Sequence, residues 1–240
     1  MVMKVKADME RILGGGFSLR LGDRDDHACG GGSSDGRGGR GGWPGKDDEA
    51  GGGCAVKERI ARALRLYKEA VDGNGSGGAL VQVWAPTRDG ERRRRVLATR
   101  GQPFVLPSRC RRLLQYRTVS LTHVFAVDGG DHSTWEERGL PGRVFDARAP
   151  EWTPNVQLYG TGEYARMSYA LIYDIQGSLA LPVLDPADAG CCLAVLELVF
   201  TAAPVACFAA EADKLCKALQ VTYRSIHFSL STARTSYYSI

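Results

Sequence analysis

Six side chains between Gly139 and Tyr169 are of the types that recognise a small anion: Arg143, Trp152, Tyr159, Tyr164, Arg166 and Tyr169. A guanidinium presents a planar fork of donors that matches a planar oxyanion, and aromatic walls lower the local dielectric so that those hydrogen bonds strengthen. Arg143, Trp152, Tyr164 and Arg166 therefore form the candidate ligand-binding set, and nitrate has the shape and charge to suit it. A structural alternative stands beside this reading. Arg143 would pair with Glu151 or Asp146, and Trp152, set between Pro150 and Pro154, would pin a sheet edge by packing.

A second chemistry is modification. Ser120 in LLQYRTVSL has Arg117 three residues before it and Leu114 six before it, an arrangement that basophilic protein kinases, calcium-dependent ones among them, read through charge pairing. A phosphate there would add about −1.5 to −2 charge beside Arg111, Arg112 and Arg117. The alternative is a strand serine with a solvent-facing hydroxyl. No serine, cysteine or carboxylate is placed to complete a catalytic set with His123, which reads as a hydrogen-bonded core histidine. The chain is expected not to be an enzyme.

Seven cysteines, with no CxxC pair and four histidines, support neither a zinc site nor a disulfide framework, so no metal and no cofactor is expected. The N-terminal residues do not read as a signal peptide, which points to a reducing intracellular compartment. Cys191 to Ala210 carries one charge, Glu197, and is long enough to span a bilayer. Glu197, Pro204 and the strand-like run CCLAVLELVF favour a buried strand and a turn instead.

The elements that must position these groups follow from periodicity. Val56, Ile60, Ala63, Leu64, Tyr67 and Val71 lie on one helical face, and GNGSGG at 73–78 reads as a connector. Leu80 to Trp84 and Arg94 to Thr99 pair as antiparallel strands across Asp89-Gly90, and Val119 to Val127 alternates as a third. Glu163 to Asp174 reads as a helix. Ser178 to Leu184 and Leu193 to Phe200 form a hairpin joined by DPADAG, and Ala212, Leu215, Cys216 and Leu219 share a face of a final helix. Hairpin-length links predict an α+β fold, an antiparallel sheet flanked by helices. Before it, 16 of the 30 glycines fall between Gly14 and Gly53, so residues 1–55 are expected to form a disordered leader, 56–224 one domain and 225–240 a divergent tail.

The net charge of +4 does not by itself indicate nucleic-acid binding. The ten arginines from Arg88 to Arg117 read as a solvated hairpin and loop, and RGGRGG at 37–42 as low-complexity sequence.

Several stretches resemble plant NIN-like proteins, regulators of the RWP-RK family: KERIARALRLYKEA from Lys57, LVQVWAP, GQPFVL, the run from Gly139 to Val183, and EADKLCKALQ. SLALPVLDPADAGCCLAVLEL is similar to the usual ending of a GAF domain. The resemblance implies a GAF-like N-terminal sensory and regulatory part of a nitrate-responsive transcription regulator, found in nucleus and cytoplasm. Its implied partners are nitrate, a protein kinase and other transcription regulators, with no membrane. It also implies that phosphate on Ser120 promotes nuclear retention. No RWPxRK string occurs, so no sequence-specific DNA binding is expected of this chain, which reads as a truncated form. The alternative function is a free-standing GAF-like anion-binding module or protein-interaction regulator.

Overall fold

The computed structural model describes residues 19–20, 49–73, 79–89, 94–107, 110–127, 135–160, 162–185, 188, 190–201, 206–222 and 234–235. Most of the Gly-rich leader, the RGGRGG stretch, the 74–78 connector and most of the C-terminal tail lie outside them.

Among the described residues the strands are β1 (Leu19–Arg20), β2 (Leu80–Arg88), β3 (Arg95–Ala98), β4 (Phe104–Val105), β5 (Val124–Ala126), β6 (Glu151–Thr153), β7 (Ile175–Leu184), β8 (Cys192–Thr201) and β9 (Arg234–Thr235). The helices are α1 (Glu49–Gly73), α2 (Arg111–Ser120), α3 (Trp135–Ala147), α4 (Met167–Ile172) and α5 (Ala206–Thr222), with a 3₁₀ turn at Val156–Leu158. The sheet order is β5-β3-β2-β8-β7-β6-β9, with β4 beside β2 and β1 beside β7. All pairings are antiparallel except the two-residue ones made by β1 and β9. The architecture is thus the α+β one expected, with an antiparallel sheet flanked by helices.

Alternation along the central strands builds two cores. Val81 and Val83 of β2, and Ala194, Leu196, Leu198 and Phe200 of β8, face α1 and α5, meeting Ile60, Leu64, Tyr67, Leu215 and Leu219. Leu80 and Trp84, with Val195 and Val199, face the other way toward Leu113, Tyr116, Phe125, Leu140 and Val144. Covering both faces explains why the β8 segment reads as nearly continuous apolar sequence. Each fully buried aliphatic side chain contributes about 1.5–3 kcal/mol of burial free energy.

Three local expectations change. Residues 119–127 are not one strand: α2 runs through Ser120, and only Val124–Ala126 pairs, with β3. The alternation of Val119, Leu121 and His123 arises where a helix end meets a turn, so His123 is not in a core row. It is half-buried, with Nδ1 3.0 Å from the Val119 carbonyl and its ring edge-on to Tyr169. The helix expected from Glu163 begins only at Met167, because 162–166 are turns. The segment that carries the candidate residues is helical in part: α3 has a break at Gly139, after which Pro141 opens the second piece, where its fixed φ and missing N–H are tolerated.

Candidate functional site

On the face of the sheet opposite α1 and α5, the period of two along the strands places Gln82 and Trp84 of β2, Ser178 of β7 and Glu197 of β8 on one side. Gln82 sits directly across from Glu197 in the β2–β8 register. Glu197 is fully buried, a position in which a carboxylate persists only if paired and hydrogen-bonded. It has four donors. Arg166 Nη2 (2.7 Å) and Ser178 Oγ (3.2 Å) reach Oε1, while Trp84 Nε1 (2.7 Å) and Gln82 Nε2 (3.0 Å) reach Oε2.

Arg166 arrives from the turn before α4 and is itself only 1 % exposed. Its guanidinium lies 5.1–5.5 Å from the ring centroids of Trp84, Tyr116, Phe125 and Tyr164, so four π faces surround it. Burial works against its charge, but Glu197, Tyr116 and Tyr164 hold its pKa above the ordinary arginine value. Burial likewise pushes the Tyr164 phenol up to about 12, with Arg166 opposing.

The C-terminal turn of α2 closes the network. Ser120 Oγ donates to the Tyr116 carbonyl (3.0 Å) and accepts from Arg166 Nη1 (2.9 Å) and Gln82 Nε2 (3.2 Å). Arg117, also buried, donates to Gln82 Oε1 (3.1 Å), to the Thr99 carbonyl (2.9 Å) and to the Thr99 hydroxyl. Burial lowers its pKa to about 10, with Glu197 opposing and Arg166 reinforcing the fall, so it remains a cation at neutral pH. Among the described residues Arg117 and Arg166 against Glu197 leave one positive charge in excess, and Arg117 Nε is buried without a hydrogen-bond partner.

A second, shallower cluster adjoins it. Arg143 grips Glu151 with two bonds (Nε–Oε2 3.1 Å, Nη2–Oε1 2.5 Å) and donates to the Glu163 carbonyl (2.6 Å). Burial works against the Arg143 charge, yet Glu151 raises its pKa overall. Tyr159 donates to Glu151 (2.9 Å) and stacks on Tyr164 at 5.5 Å, and Tyr164 bonds the Tyr116 hydroxyl at 2.6 Å. A cleft of about 380 Å³ opens at this tyrosine pair, lined also by Gln157, Met167 and Leu171.

The structure therefore brings Tyr164 and Arg166 together and sets Arg143 behind Tyr159, one ring away. The expected alternative partner of Arg143, Glu151, is the one it has. Trp152 belongs to the opposite face, in the core with α1 and α5, apart from the other three. Tyr169 is exposed at the surface against His123. Ser120 is fully buried at a helix end, which removes the solvent-facing strand hydroxyl that was its alternative.

Sequence reasoning passed over Glu197, Gln82, Trp84 and Ser178 as site residues. The available signal was the isolated acid inside an apolar strand, since such a charge demands a buried cation. Among the described residues no group of three or more His, Cys, Asp or Glu side chains could hold a metal ion, and no helix is long and apolar enough to cross a membrane. Cys110, Cys191, Cys192 and Cys216 are not joined in disulfide bonds.

No family model matches the chain. It is similar to Protein NLP3 of Oryza sativa subsp. japonica, 48 % identical over 174 residues, covering 72 % of this chain and 17 % of that protein. It is also similar to two Arabidopsis thaliana proteins: Protein NLP6, 48 % identical over 167 residues (70 % of this chain, 19 % of that protein), and Protein NLP7, 46 % identical over 167 residues (70 % and 16 %). The chain thus spans less than a fifth of the length of these relatives. Among solved structures it overlays on one described as the structure of the GAF domain (TM-score 0.40, 13 % identity, 68 % of this chain and 74 % of that one). A second is the A. Aeolicus nlh2 GAF domain in an inactive state (TM-score 0.38, 16 % identity, 71 % and 94 %).

Proposed function

Because this chain belongs with the plant NIN-like proteins over the span it shares with them, we propose that it is a GAF-like regulatory domain of a nitrate-responsive transcription regulator, working in the nucleus and cytoplasm without catalysing a reaction. Promoter recognition would then come from an RWP-RK region outside this domain, and its partners would be other transcription regulators and a protein kinase.

The observation that carries an anion-responsive reading is the charge imbalance behind the tyrosine cleft, where among the described residues Arg117 and Arg166 face the single carboxylate of Glu197 and Arg117 Nε has no hydrogen-bond partner. Arg143 and Arg166, with Tyr164, are the proposed anion contacts, and Trp152 supports the sheet from its other face. Since both arginines are held by carboxylates, an anion would have to compete with Glu151 or Glu197, which favours a response coupled to rearrangement of the network over simple filling of a vacant pocket. Thermal unfolding of the full chain in nitrate against equal chloride tests this. Occupancy at 100 times the dissociation constant should add about 2.7 kcal/mol. Identical midpoints in the two salts up to high millimolar concentration would remove nitrate from the reading and leave a protein-interaction role.

Phosphorylation of Ser120 is proposed on the sequence pattern together with the resemblance. In the folded chain its hydroxyl is inaccessible and already makes three hydrogen bonds. A kinase must therefore meet α2 with its C-terminal turn opened, and modification should be slow in the free chain. Mass mapping after treatment with a calcium-dependent kinase is expected to show Ser120 phosphate rising several-fold when Glu197→Ala loosens the network, through a larger population of the open form. Phosphate found solely on other serines in both proteins would dismiss it.

A further inference from the structure

We propose that the groove between α1 and the segment carrying β4 is a docking site for an acidic peptide, a segment of a partner protein that also bears a large apolar side chain. The groove has a volume of about 430 Å³. Lys57, Ala61, Arg65 and Lys68 recur along α1 at intervals of four, four and three, which sets them in a row on one helix face. Across from them stands Phe104, in a wall continued by Pro103.

Two features define what fits. Among the described residues three cations and no carboxylate line the groove, so its charge complement is an anion. Lys68 is bonded at 2.7 Å to Asp72 of the same helix, and the complement therefore rests mainly on Lys57 and Arg65, both exposed. Phe104 is 47 % exposed, a large apolar surface left open beside those cations. Docked peptides characteristically combine such an apolar anchor with a charged rim that sets orientation and on-rate.

A single ring lines this groove among the described residues, whereas strand-tracking nucleic-acid sites stack successive bases on several aromatics. A peptide is the better match. The ring has a further consequence, since it covers the Arg117 guanidinium at 4.7 Å, and Arg117 bonds Thr99 and Gln82 in the buried network. A side chain seated on Phe104 thus touches the residue that links the groove to Glu197.

Fluorescence anisotropy of the full chain tests the site, using a labelled peptide about a dozen residues long made of Glu and Leu with one Phe, and a control in which every Glu is Lys. The Glu peptide should bind, and more weakly as salt is raised, because surface charge pairs are screened. The double variant Lys57→Glu/Arg65→Glu is expected to lower its affinity about tenfold or more, since juxtaposed like charges oppose docking. Phe104→Ser should weaken binding without altering the salt dependence. Circular dichroism establishes that the variants are folded. The proposal is overturned if the Lys peptide binds as well as the Glu peptide, if the charge reversal leaves affinity unchanged, if no Glu-peptide binding occurs, or if single-stranded DNA binds with the same sensitivity to Lys57 and Arg65.

Discussion

Glu197→Ala is expected to lower the stability of the chain by about 3–5 kcal/mol, the scale measured when one member of a buried ion pair is removed. The change withdraws the acceptor from Arg166, Trp84, Gln82 and Ser178 together. It also strands Arg166 in a pocket closed by four rings, with Arg117 repelling it from the far side of Ser120 and Gln82. Glu197→Gln should recover little, since an amide presents two N–H groups to a site already crowded with donors. The cause can be isolated with Arg166→Met/Glu197→Leu. If uncompensated charge dominates, the double variant should be substantially more stable than Glu197→Ala, because buried pairs replaced by apolar groups of similar volume are commonly neutral or better. Urea midpoints measure all three. A loss below about 1 kcal/mol for Glu197→Ala would match a solvated surface pair instead and would show the network to be wet.

The sheet was legible because its strands are built from alternating or continuous apolar runs bounded by turn residues. β2, β3, β7 and β8 stand where the pattern puts them, and Ala212, Leu215, Cys216 and Leu219 are all buried on one face of α5. The region from Gly139 to Tyr169 was legible only in composition. Pro141 sits in the first turn of a helical piece, and nothing local reveals that the neighbouring φ suits one. Residues 119–123 failed for a different reason. Alternation over five residues is also produced by a helix end followed by a turn, and only the pairing of Val124–Ala126 with β3 decides between them.

Site residues divide in the same way. Arg166 and Tyr164 were singled out by type, as a planar fork of donors and an aromatic wall, and the structure sets them in one cluster. Their convergence on Glu197 was hidden because Gln82, Ser120, Arg166 and Glu197 lie far apart in the chain, and sheet register alone brings the strand residues together. The pairing of Arg143 with Glu151 was legible because the two are eight residues apart. Trp152 shows the limit of reading by residue type, because a shift to the other sheet face separates it from the arginines without any change in sequence pattern.

Gly139→Ala is expected to cost roughly 2–6 kcal/mol, adding strain of about 1–3 kcal/mol for a backbone region reserved for glycine to overpacking of about 1–3 kcal/mol. Gly139 has φ 51° and ψ −174°, and a Cβ built there would lie 2.4 Å from Phe125 Cε1 and 2.6 Å from Cδ1. The ring cannot simply turn away. It packs edge-on against Trp84 with centroids 4.8 Å apart and forms one wall around the Arg166 guanidinium. The methyl group must therefore shift α3 or open the cage. Gly101→Ala separates the two contributions. Gly101 has φ +72°, but among the described residues nothing beyond its own chain neighbours lies within 4 Å of a built Cβ, so it should cost only the conformational part, about 1–2 kcal/mol. Placing Gly139→Ala on a Phe125→Leu background should shrink its additional cost toward the Gly101 value, because the clash is removed while the strained φ remains. Chemical denaturation of the wild type and the four variants, Phe125→Leu alone among them, checks this, and equal costs for the two glycine substitutions in the wild-type background would show that α3 yields freely, so that Phe125 does not hold the cage shut.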